Sequence, residues 1–214
     1  MRALITGGFG FVGRHLARYL VTCGDDVAVT YHPSERGSAD EAFRTALPQA
    51  AQTFALDIAD KKAVDQLLTI VQPDALYHLA ALSYVPDGET QQDLIFQTNS
   101  FGTMNLLDGL VKTSPKTRFL YVSSAEVYGE PWPGSLPLVE TAVLRPVSNY
   151  GLSKVLGDLA AFKYSVRDSL DTVRVRPFPH IGPGQSDQFA VSSFARQLAE
   201  VKLGRREPVI KVGN

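Results

Sequence analysis

Short apolar runs alternate with longer amphipathic stretches along most of the chain. The runs predict β-strands at residues 3–6, 26–31, 53–56, 75–80, 118–124 and 171–177. The amphipathic stretches predict helices at residues 11–23, 61–71, 91–112 and 148–167. Strands that alternate with helices are typical of βαβ units, so the pattern predicts an α/β fold, a Rossmann-like doubly wound parallel sheet with helices on both faces.

The C-terminal third departs from this alternation. Residues 131–146 are rich in proline and predict a long loop. The last residues, EPVIKVGN, look like a strand that breaks off as a turn begins, which fits either a natural C-terminus or a truncated chain. We expect a dinucleotide-binding Rossmann domain over 1–176 and the start of a substrate-binding portion, apparently truncated, over 177–214.

Composition excludes several classes of function. The chain has 214 residues, 44% of them hydrophobic, and a net charge of −1, so no general attraction to nucleic acid or to an anionic membrane is expected. The single cysteine, Cys23, allows no internal disulfide, and no run of about 18 apolar residues or signal-peptide pattern is present. We predict a cytoplasmic protein with no nucleic-acid or membrane partner and no metal site.

The segment ITGGFGFVG places three glycines directly after the first predicted strand. Gly7 would permit a tight turn, Gly10 a close approach of the backbone to a pyrophosphate, and Gly13 close packing of helix and sheet. The helix that starts at Phe11 and Val12 would offer free N–H groups to the phosphates. The motif predicts a dinucleotide site, and the alternative is a glycine-rich turn without a ligand.

The second strand ends in VTYHP, where a dinucleotide site usually has a carboxylate about 20 residues after the glycines. Tyr31 occupies that place, and His32 and Arg36 follow. The lack of a carboxylate removes repulsion against a 2′-phosphate, and Arg36 could pair with one. We therefore favour NADP(H), with NAD(H) possible; the alternative is that Arg36 simply points to water.

The segment SNYGLSK puts Tyr150 and Lys154 four residues apart, on one face of a predicted helix. They could be a surface aromatic beside a solvated amine. Alternatively, the ammonium lowers the pKa of the phenol so that Tyr150 exchanges a proton with a substrate. Ser124 follows the fifth strand, at the carboxyl edge where open α/β sheets bind ligands. Ser124, Tyr150 and Lys154 are thus the predicted catalytic group.

Several motifs in this order resemble the extended short-chain dehydrogenase/reductase family of sugar-nucleotide epimerases, dehydratases and reductases. They span essentially the whole chain: TGGFGFVG, LDI at 56–58, HLAA at 78–81, TNSFGT at 98–103, SSAEVYG at 123–129, YGLSK at 150–154 and RPFPHIGPGQ at 176–185. The resemblance implies further cofactor contacts at Asp57, Ile58, Leu79, Ala80, Ala81, Asn99 and Pro177. It implies substrate contacts at Ser83, Ser124, Ala125, Glu126, Tyr150, Pro179 and Arg196.

The segment from residue 176 to the end is similar to one branch of that family, the GDP-4-keto-6-deoxymannose reductases. This implies NAD(P)H-dependent reduction of the C4 ketone of a GDP-linked 6-deoxy sugar to GDP-rhamnose, with Tyr150 protonating the new alkoxide. Two features depart from the branch. Pro179 replaces an asparagine that commonly contacts the sugar nucleotide, and members of the branch continue well past VGN.

Three alternatives stay open. A GDP-mannose 4,6-dehydratase would use a glutamate at the position of Glu126 to abstract a sugar proton, although Ala125 supplies no acid beside it. A sugar-nucleotide 4-epimerase is the second alternative, and a cofactor-binding fragment without turnover is the third. The resemblance also implies a homodimer that packs through the helices at about 91–112 and 148–167.

Overall fold

The computed structural model describes residues 1–35, 48, 50–83, 91–132 and 134–212. The chain divides into two compact units, Met1–Phe178 and Pro179–Asn214. Strands of the first unit are β1 (Arg2–Thr6), β2 (Asp26–Tyr31), β3 (Gln52–Ala55), β4 (Ala75–His78), β5 (Arg118–Val122) and β6 (Thr172–Val175). Its helices are α1 (Phe11–Thr22), α2 (Lys61–Val71), α3 (Gln92–Ile95), α4 (Gly102–Thr113) and α5 (Asn149–Asp168).

The strands form one parallel sheet in the order β3-β2-β1-β4-β5-β6. This order is that of a doubly wound sheet, and it confirms the predicted fold class. The chain passes from β1 toward one edge and from β4 toward the other. The gap between the carboxyl ends of β1 and β4 is therefore the switch point, where ligands bind in such sheets.

The two faces of the sheet bury separate apolar clusters. On one face Leu4, Leu76 and Phe119 pack against α2, α4 and α5. On the other face Ala3, Ile5 and Val29 pack against α1. Successive residues of β1 point to opposite faces, so a continuous apolar run serves both clusters. The helices on both faces hold the carboxyl ends of the strands in fixed relative positions.

The predicted helix at 91–112 is a composite element. A π-helical segment, Phe96–Phe101, joins α3 to α4. Apolar periodicity does not distinguish such an insertion from a regular helix, because one extra residue per turn leaves the surrounding pattern helical. Short 3₁₀ turns at Pro33–Glu35 and Ala125–Tyr128 follow β2 and β5.

The second unit contains a helix that the alternation did not predict, α6 (Ala190–Lys202). The strand expected at the chain's end is wrong for residues 207–212, which have no strand assignment. Their place is set by a side chain, because the buried Gln197 amide accepts from the Lys211 N–H at 2.7 Å and donates to the Lys211 carbonyl at 3.1 Å. The Gln197 side chain thus pairs with the backbone of this segment in the way that a strand would.

Across both units, no helix of the described part of the chain has the length and apolar character needed to cross a membrane.

Candidate active site

Most predicted site residues follow the carboxyl ends of the strands in the first unit. Along the chain they are Gly7, Gly10, Phe11, Val12 and Gly13 after β1, Tyr31 and His32 at the end of β2, Asp57 and Ile58 after β3, Leu79, Ala80, Ala81 and Ser83 after β4, Ser124, Ala125 and Glu126 after β5, and Pro177 after β6. Arg36 lies outside the described residues. Pro179 and Arg196 belong to the second unit.

The glycine turn after β1 is built from backbone that leaves no room for side chains. Gly7 has φ +71°, and a Cβ atom there would lie 2.8 Å from the backbone N and Cα of Ala80. A Cβ atom on Gly13 would lie 2.4 Å from the Gly7 carbonyl oxygen. The turn therefore packs on the end of β4 and on the first turn of α1 only because both positions are glycine.

Gly10 has a different setting. It is exposed and precedes α1, and a Cβ atom there would approach only the Gly7 carbonyl oxygen, at 3.2 Å. No side chain caps α1 and its first turn has no acidic residue. The first amides of a helix have no intrahelical acceptor, and they carry the positive end of the helix dipole. An open glycine above free N–H groups fits a pyrophosphate, so the residues present fit a dinucleotide.

The end of β2 exposes a histidine and buries a tyrosine. Tyr31 is 4% exposed, and its ring stacks on Phe9 with centroids 4.6 Å apart. His32 is exposed, with Nδ1 2.6 Å from the Ser34 hydroxyl and Nε2 3.8 Å from a carboxylate oxygen of Asp57. Asp57 also accepts from the Ala59 N–H at 2.9 Å. His32 and Asp57, rather than Tyr31, thus present polar side chains here.

Ser124 and Tyr150 lie together, as the sequence predicts. The Ser124 hydroxyl accepts from the Glu126 N–H at 3.2 Å, and the Ala125 N–H donates to the Pro177 carbonyl at 3.0 Å. These bonds fix the turn after β5 beside the segment after β6. Tyr150 lies in the first turn of α5, and the Ser124 side chain is close enough to act on the pKa of its phenol.

The pKa of the Tyr150 phenol is raised. Burial is the main cause, the Ser124 hydroxyl opposes it, and the Glu126 carboxylate adds to the rise. The expectation that a neighbouring ammonium lowers this pKa is therefore wrong for this structure, where Lys154 is not among the groups that shift it. A raised pKa keeps the phenol protonated at neutral pH, which is the state of a proton donor.

Lys154 is almost fully buried, with 4% of its surface exposed. Burial lowers the pKa of its amine to about 7, and the carboxylate of Asp158 opposes the change. Nζ lies 4.8 Å from the centroid of the Tyr121 ring. The amine therefore changes charge near neutral pH, unlike the solvated lysine of the alternative interpretation.

Asn99 lies in the π-helical segment and is buried. Its amide nitrogen donates to the Leu82 carbonyl at 3.0 Å and to the Ser153 hydroxyl at 3.0 Å, and its oxygen accepts from the Leu82 N–H at 2.8 Å. Asn99 therefore fastens the segment after β4 to α5. Its amide is already occupied in this structure, so its direct effect is on the position of neighbouring backbone.

Sequence reasoning did not identify a buried polar group under the switch point. His78 Nδ1 lies 2.7 Å from the Thr6 hydroxyl, and its Nε2 lies 2.8 Å from the Thr103 hydroxyl. Burial, and then the nearby Lys154, lowers the pKa of His78 to about 3. The imidazole is therefore neutral and links β1, β4 and α4. In the sequence, the polar residues Thr6 and His78 at the ends of two apolar strands could have indicated this contact.

In the second unit, the predicted substrate residue Arg196 is held by two carboxylates. Its guanidinium pairs with Asp187 and, at 2.9 Å, with Glu200. Pro179 is exposed.

Comparisons with known proteins agree with this geometry. A family model described as GDP-mannose 4,6 dehydratase matches residues 4–214. The GDP-6-deoxy-D-mannose reductase of Pseudomonas aeruginosa is 32% identical over 213 residues, which are 100% of this chain and 63% of that protein. A UDP-glucose 4-epimerase of Streptomyces lividans is 29% identical over 99% of this chain and 63% of that protein.

Solved structures give the same picture. RMD from Pseudomonas aeruginosa complexed with NADPH superposes with a TM-score of 0.81 at 31% identity, covering 100% of this chain and 65% of the other. UDP-glucose 4-epimerase from Thermus thermophilus in complex with NAD has a TM-score of 0.83 at 28% identity, covering 95% and 63%. The chain thus spans slightly less than two thirds of the length of these relatives.

Proposed function

The chain belongs to the GDP-mannose 4,6 dehydratase family of extended short-chain dehydrogenases/reductases, and on that premise we propose that it reduces the C4 ketone of a nucleotide-linked 4-keto-6-deoxy sugar. The observation that carries the proposal is that the Ser124 hydroxyl lies close enough to the Tyr150 phenol to act on its pKa, one helical turn from the buried Lys154. This group lies at the same sheet edge as the open glycine turn. Proton transfer and a dinucleotide are the two requirements of a ketone reduction.

The proposed reaction adds a hydride to the carbonyl carbon and a proton to its oxygen. A bound nicotinamide dinucleotide in its reduced form would supply the hydride. Ser124 would hold the ketone oxygen through its hydroxyl, and Tyr150 would donate its phenolic proton to that oxygen. Lys154 would stabilise the resulting phenolate by its positive charge. The raised pKa of Tyr150 serves this direction, because it keeps the donor protonated until the oxygen becomes basic.

We assign the pyrophosphate of the cofactor to the amides that follow Gly10. Asp57 and Ile58 would flank the adenine, and Leu79, Ala80, Ala81 and Pro177 would border the rest of the dinucleotide. NADP(H) is the proposed preference, because β2 itself ends in Tyr31, followed by His32, and not in a carboxylate. A carboxylate at the end of β2 would repel a 2′-phosphate and accept hydrogen bonds from a ribose hydroxyl.

The substrate is proposed to be GDP-linked, and GDP-4-keto-6-deoxymannose with GDP-rhamnose as product fits best. The similarity to the Pseudomonas aeruginosa reductase supports this choice. Ser83, which follows β4, and Ala125 and Glu126, which follow β5, are the proposed sugar contacts. Pro179 and Arg196 are the proposed contacts from the second unit, where Arg196 would exchange a carboxylate partner for a phosphate.

A second candidate is a sugar-nucleotide 4,6-dehydratase. Glu126 favours it, because this exposed carboxylate acts on the pKa of Tyr150 and so lies close to the proposed reacting atoms. The two activities differ in their net reaction. A dehydratase forms a 4-keto sugar from GDP-mannose and returns its cofactor unchanged, whereas a reductase consumes one reduced dinucleotide for each sugar.

The proposed homodimer uses the helices at about 91–112 and 148–167. The outward face of α5 carries apolar side chains three and four residues apart that are between 38% and 70% exposed: Leu152, Leu156, Leu159, Phe162 and Val166. Phe101, 58% exposed, adds to them from the π-helical segment. Such a continuous apolar stripe is typical of a helical interface. Light scattering of a Leu159→Glu variant, with Thr69→Glu on α2 as the control, tests it.

The function is tested by measuring the oxidation of NADPH in the presence of GDP-4-keto-6-deoxymannose. We expect oxidation of one NADPH for each sugar reduced, and turnover at least about a hundredfold slower in the Tyr150→Phe variant. GDP-mannose with oxidised cofactor is the comparison substrate. Formation of a 4-keto sugar from GDP-mannose, lost in Glu126→Gln, would instead support the dehydratase. Cofactor binding without either reaction would indicate a binding fragment.

A further inference from the structure

The ammonium of Lys154 is buried beside an aromatic ring and not beside an oxygen. Among the residues that the structure describes, no oxygen accepts a hydrogen bond from Nζ. Nζ lies 4.8 Å from the centroid of the Tyr121 ring, which is within the range of a cation–π interaction. Asp158, the carboxylate that acts on the amine, is already shared between Arg174 and Arg176. The ring face is therefore the closest support for the charged amine.

Tyr121 is held firmly enough to act in this way. It lies in β5, is fully buried, and stacks near Phe119 with ring centroids 6.5 Å apart. The His78 ring lies near both, with its centroid 5.7 Å from that of Tyr121 and 5.9 Å from that of Phe119. Its hydroxyl donates to the backbone carbonyl of Lys154 at 3.3 Å. One side chain thus contacts Lys154 twice, at the ammonium and at the backbone.

Gly157 makes this contact possible. A Cβ atom at that position would lie 2.2 Å from the Tyr121 hydroxyl oxygen and 2.5 Å from the adjoining ring carbon. Helix α5 therefore approaches β5 closely enough for the hydrogen bond only because Gly157, three residues after Lys154, has no side chain. The two positions form a matched pair, a large ring on the strand and a gap on the helix.

We infer that Tyr121 is a positioning residue for Lys154, holding the ammonium with its ring face and the helical turn that carries it with its hydroxyl. The inference depends on the proposed function only for the part that Lys154 plays in the reaction. The contact itself is a property of the free protein. Tyr121 thereby supports the predicted catalytic group from strand β5.

The charged groups around Lys154 allow this contact to be measured. His78 from β4 is neutral above about pH 3, because burial and then Lys154 lower its pKa. Tyr121 from β5 is neutral because burial, and then Tyr150, raise its pKa far above the ordinary value. On α5 itself, the pKa of Tyr150 is raised and the pKa of Asp158 is lowered. Near pH 7 the amine of Lys154 is therefore the group of this set that titrates.

The test is an NMR titration of the full chain carrying isotope-labelled lysine, with the Lys154 signal assigned by its loss in Lys154→Met. Tyr121→Phe keeps the ring and should leave the Lys154 midpoint nearly unchanged. A trifluorinated phenylalanine at position 121 keeps the shape but withdraws electron density from the ring face. It should lower the midpoint by about one pH unit, a tenfold loss of proton affinity. The same fluorinated residue at position 119 is the control and should shift nothing.

An unchanged or raised Lys154 midpoint with the fluorinated ring at position 121 would overturn the inference. Because the fluorinated residue is nearly isosteric with phenylalanine, the result does not depend on whether a smaller side chain such as Tyr121→Leu still folds. The titration uses the protein without cofactor or substrate. Failure of the proposed reduction would leave this result standing, and failure of the titration would leave the proposed reduction standing.

Discussion

The glycine turn after β1 and the Ser124–Tyr150–Lys154 group after β5 share one sheet edge but are assembled from different parts. The turn consists of backbone. Its geometry requires that Gly7 and Gly13 have no side chain, and Gly10 leaves the space above the helix open. The second group consists of side chains whose properties depend on burial, since both the raised pKa of Tyr150 and the lowered pKa of Lys154 have burial as their main cause.

This difference predicts how the glycine turn and the catalytic group would respond to substitutions. A site made of open backbone is lost when a side chain is added, whereas a site made of buried groups is altered when a supporting contact is removed. The cofactor half should therefore be sensitive to volume and charge at a few positions. The reaction half should be sensitive to its surroundings, including residues that never touch a ligand.

The largest expected effect is on turnover in Tyr150→Phe. Removal of the phenolic proton should lower kcat by about 10²–10⁴-fold, because general acid catalysis contributes that range. Binding of the cofactor should change little, since the glycine turn is untouched. Steady-state kinetics together with calorimetric titration of NADPH separate the two quantities. Retention of full turnover would show that another group supplies the proton.

The next effect is on stability in Asp158→Ala. The Asp158 carboxylate is fully buried and bonded to Arg174 and Arg176 at 2.7 and 2.8 Å, so its loss removes the carboxylate that both cations share and should cost about 3 kcal/mol. The exposed pair of Arg118 and Asp171 is the control, and Asp171→Ala should cost less than about 1 kcal/mol. Chemical denaturation measures both values. Equal losses in the free energy of unfolding would refute the claim that the buried carboxylate contributes more than the exposed one.

The lowered pKa of Asp158 predicts how its contribution to stability depends on pH. Burial alone would raise the pKa of its carboxyl group, but hydrogen bonds from Arg176 and Arg174 hold it below the ordinary value. Its contribution to stability is therefore complete above the unfolded-state pKa of about 4 and is lost as the pH falls below it. Wild type and Asp158→Ala should converge in stability at low pH. A constant difference down to pH 2 would contradict this assignment.

Replacement of Lys154 by methionine should stabilise the protein while abolishing turnover. The folded-state pKa of about 7 lies below the ordinary value of 10.5, so the buried ammonium costs stability at neutral pH and below. The gain should be on the order of 3 kcal/mol at pH 6 and should fade as the pH approaches 10.5. Thermal unfolding at both pH values measures it. A destabilised variant at pH 6 would contradict the burial argument.

The smallest expected effect is on cofactor choice in His32→Asp. A carboxylate at the end of β2 would repel a 2′-phosphate and accept hydrogen bonds from a ribose hydroxyl. The ratio of NADPH affinity to NADH affinity should fall about tenfold, with His32→Asn as the uncharged control. If the ratio is unchanged in His32→Asp, this residue does not determine the preference.

Features that depend on local backbone requirements could be predicted from the sequence, and features that depend on tertiary packing could not. The turn at Gly7 and the helix after Gly10 were predictable because they depend on local backbone requirements and on strand–helix alternation. The pairing of Ser124 with Tyr150 was predictable from the fixed position of β5 in such a sheet. The π-helical segment was not predictable, because its extra residues leave the apolar periodicity intact.

The properties of the buried groups were not accessible from the sequence. The direction of the Tyr150 pKa depends on burial, and the support of Lys154 depends on Tyr121, which lies 33 positions away in the chain. In the sequence, Tyr121 looks like an ordinary buried strand residue, two positions from Phe119 on the same face of β5. Its polar contact and the gap at Gly157 become visible only when β5 and α5 are brought together.

The central claim is that the open glycine turn and the buried catalytic group belong to one dinucleotide-dependent reductase site. Calorimetric titration of the chain with NADPH and NADH tests it most directly, with Gly10→Asp as the variant and Thr69→Asp, at an exposed position of α2, as the control of equal charge. We expect saturable binding of at least one reduced cofactor, tighter for NADPH, abolished in Gly10→Asp and retained in Thr69→Asp. Absence of binding by the folded wild-type chain, or equal binding by Gly10→Asp, would contradict it.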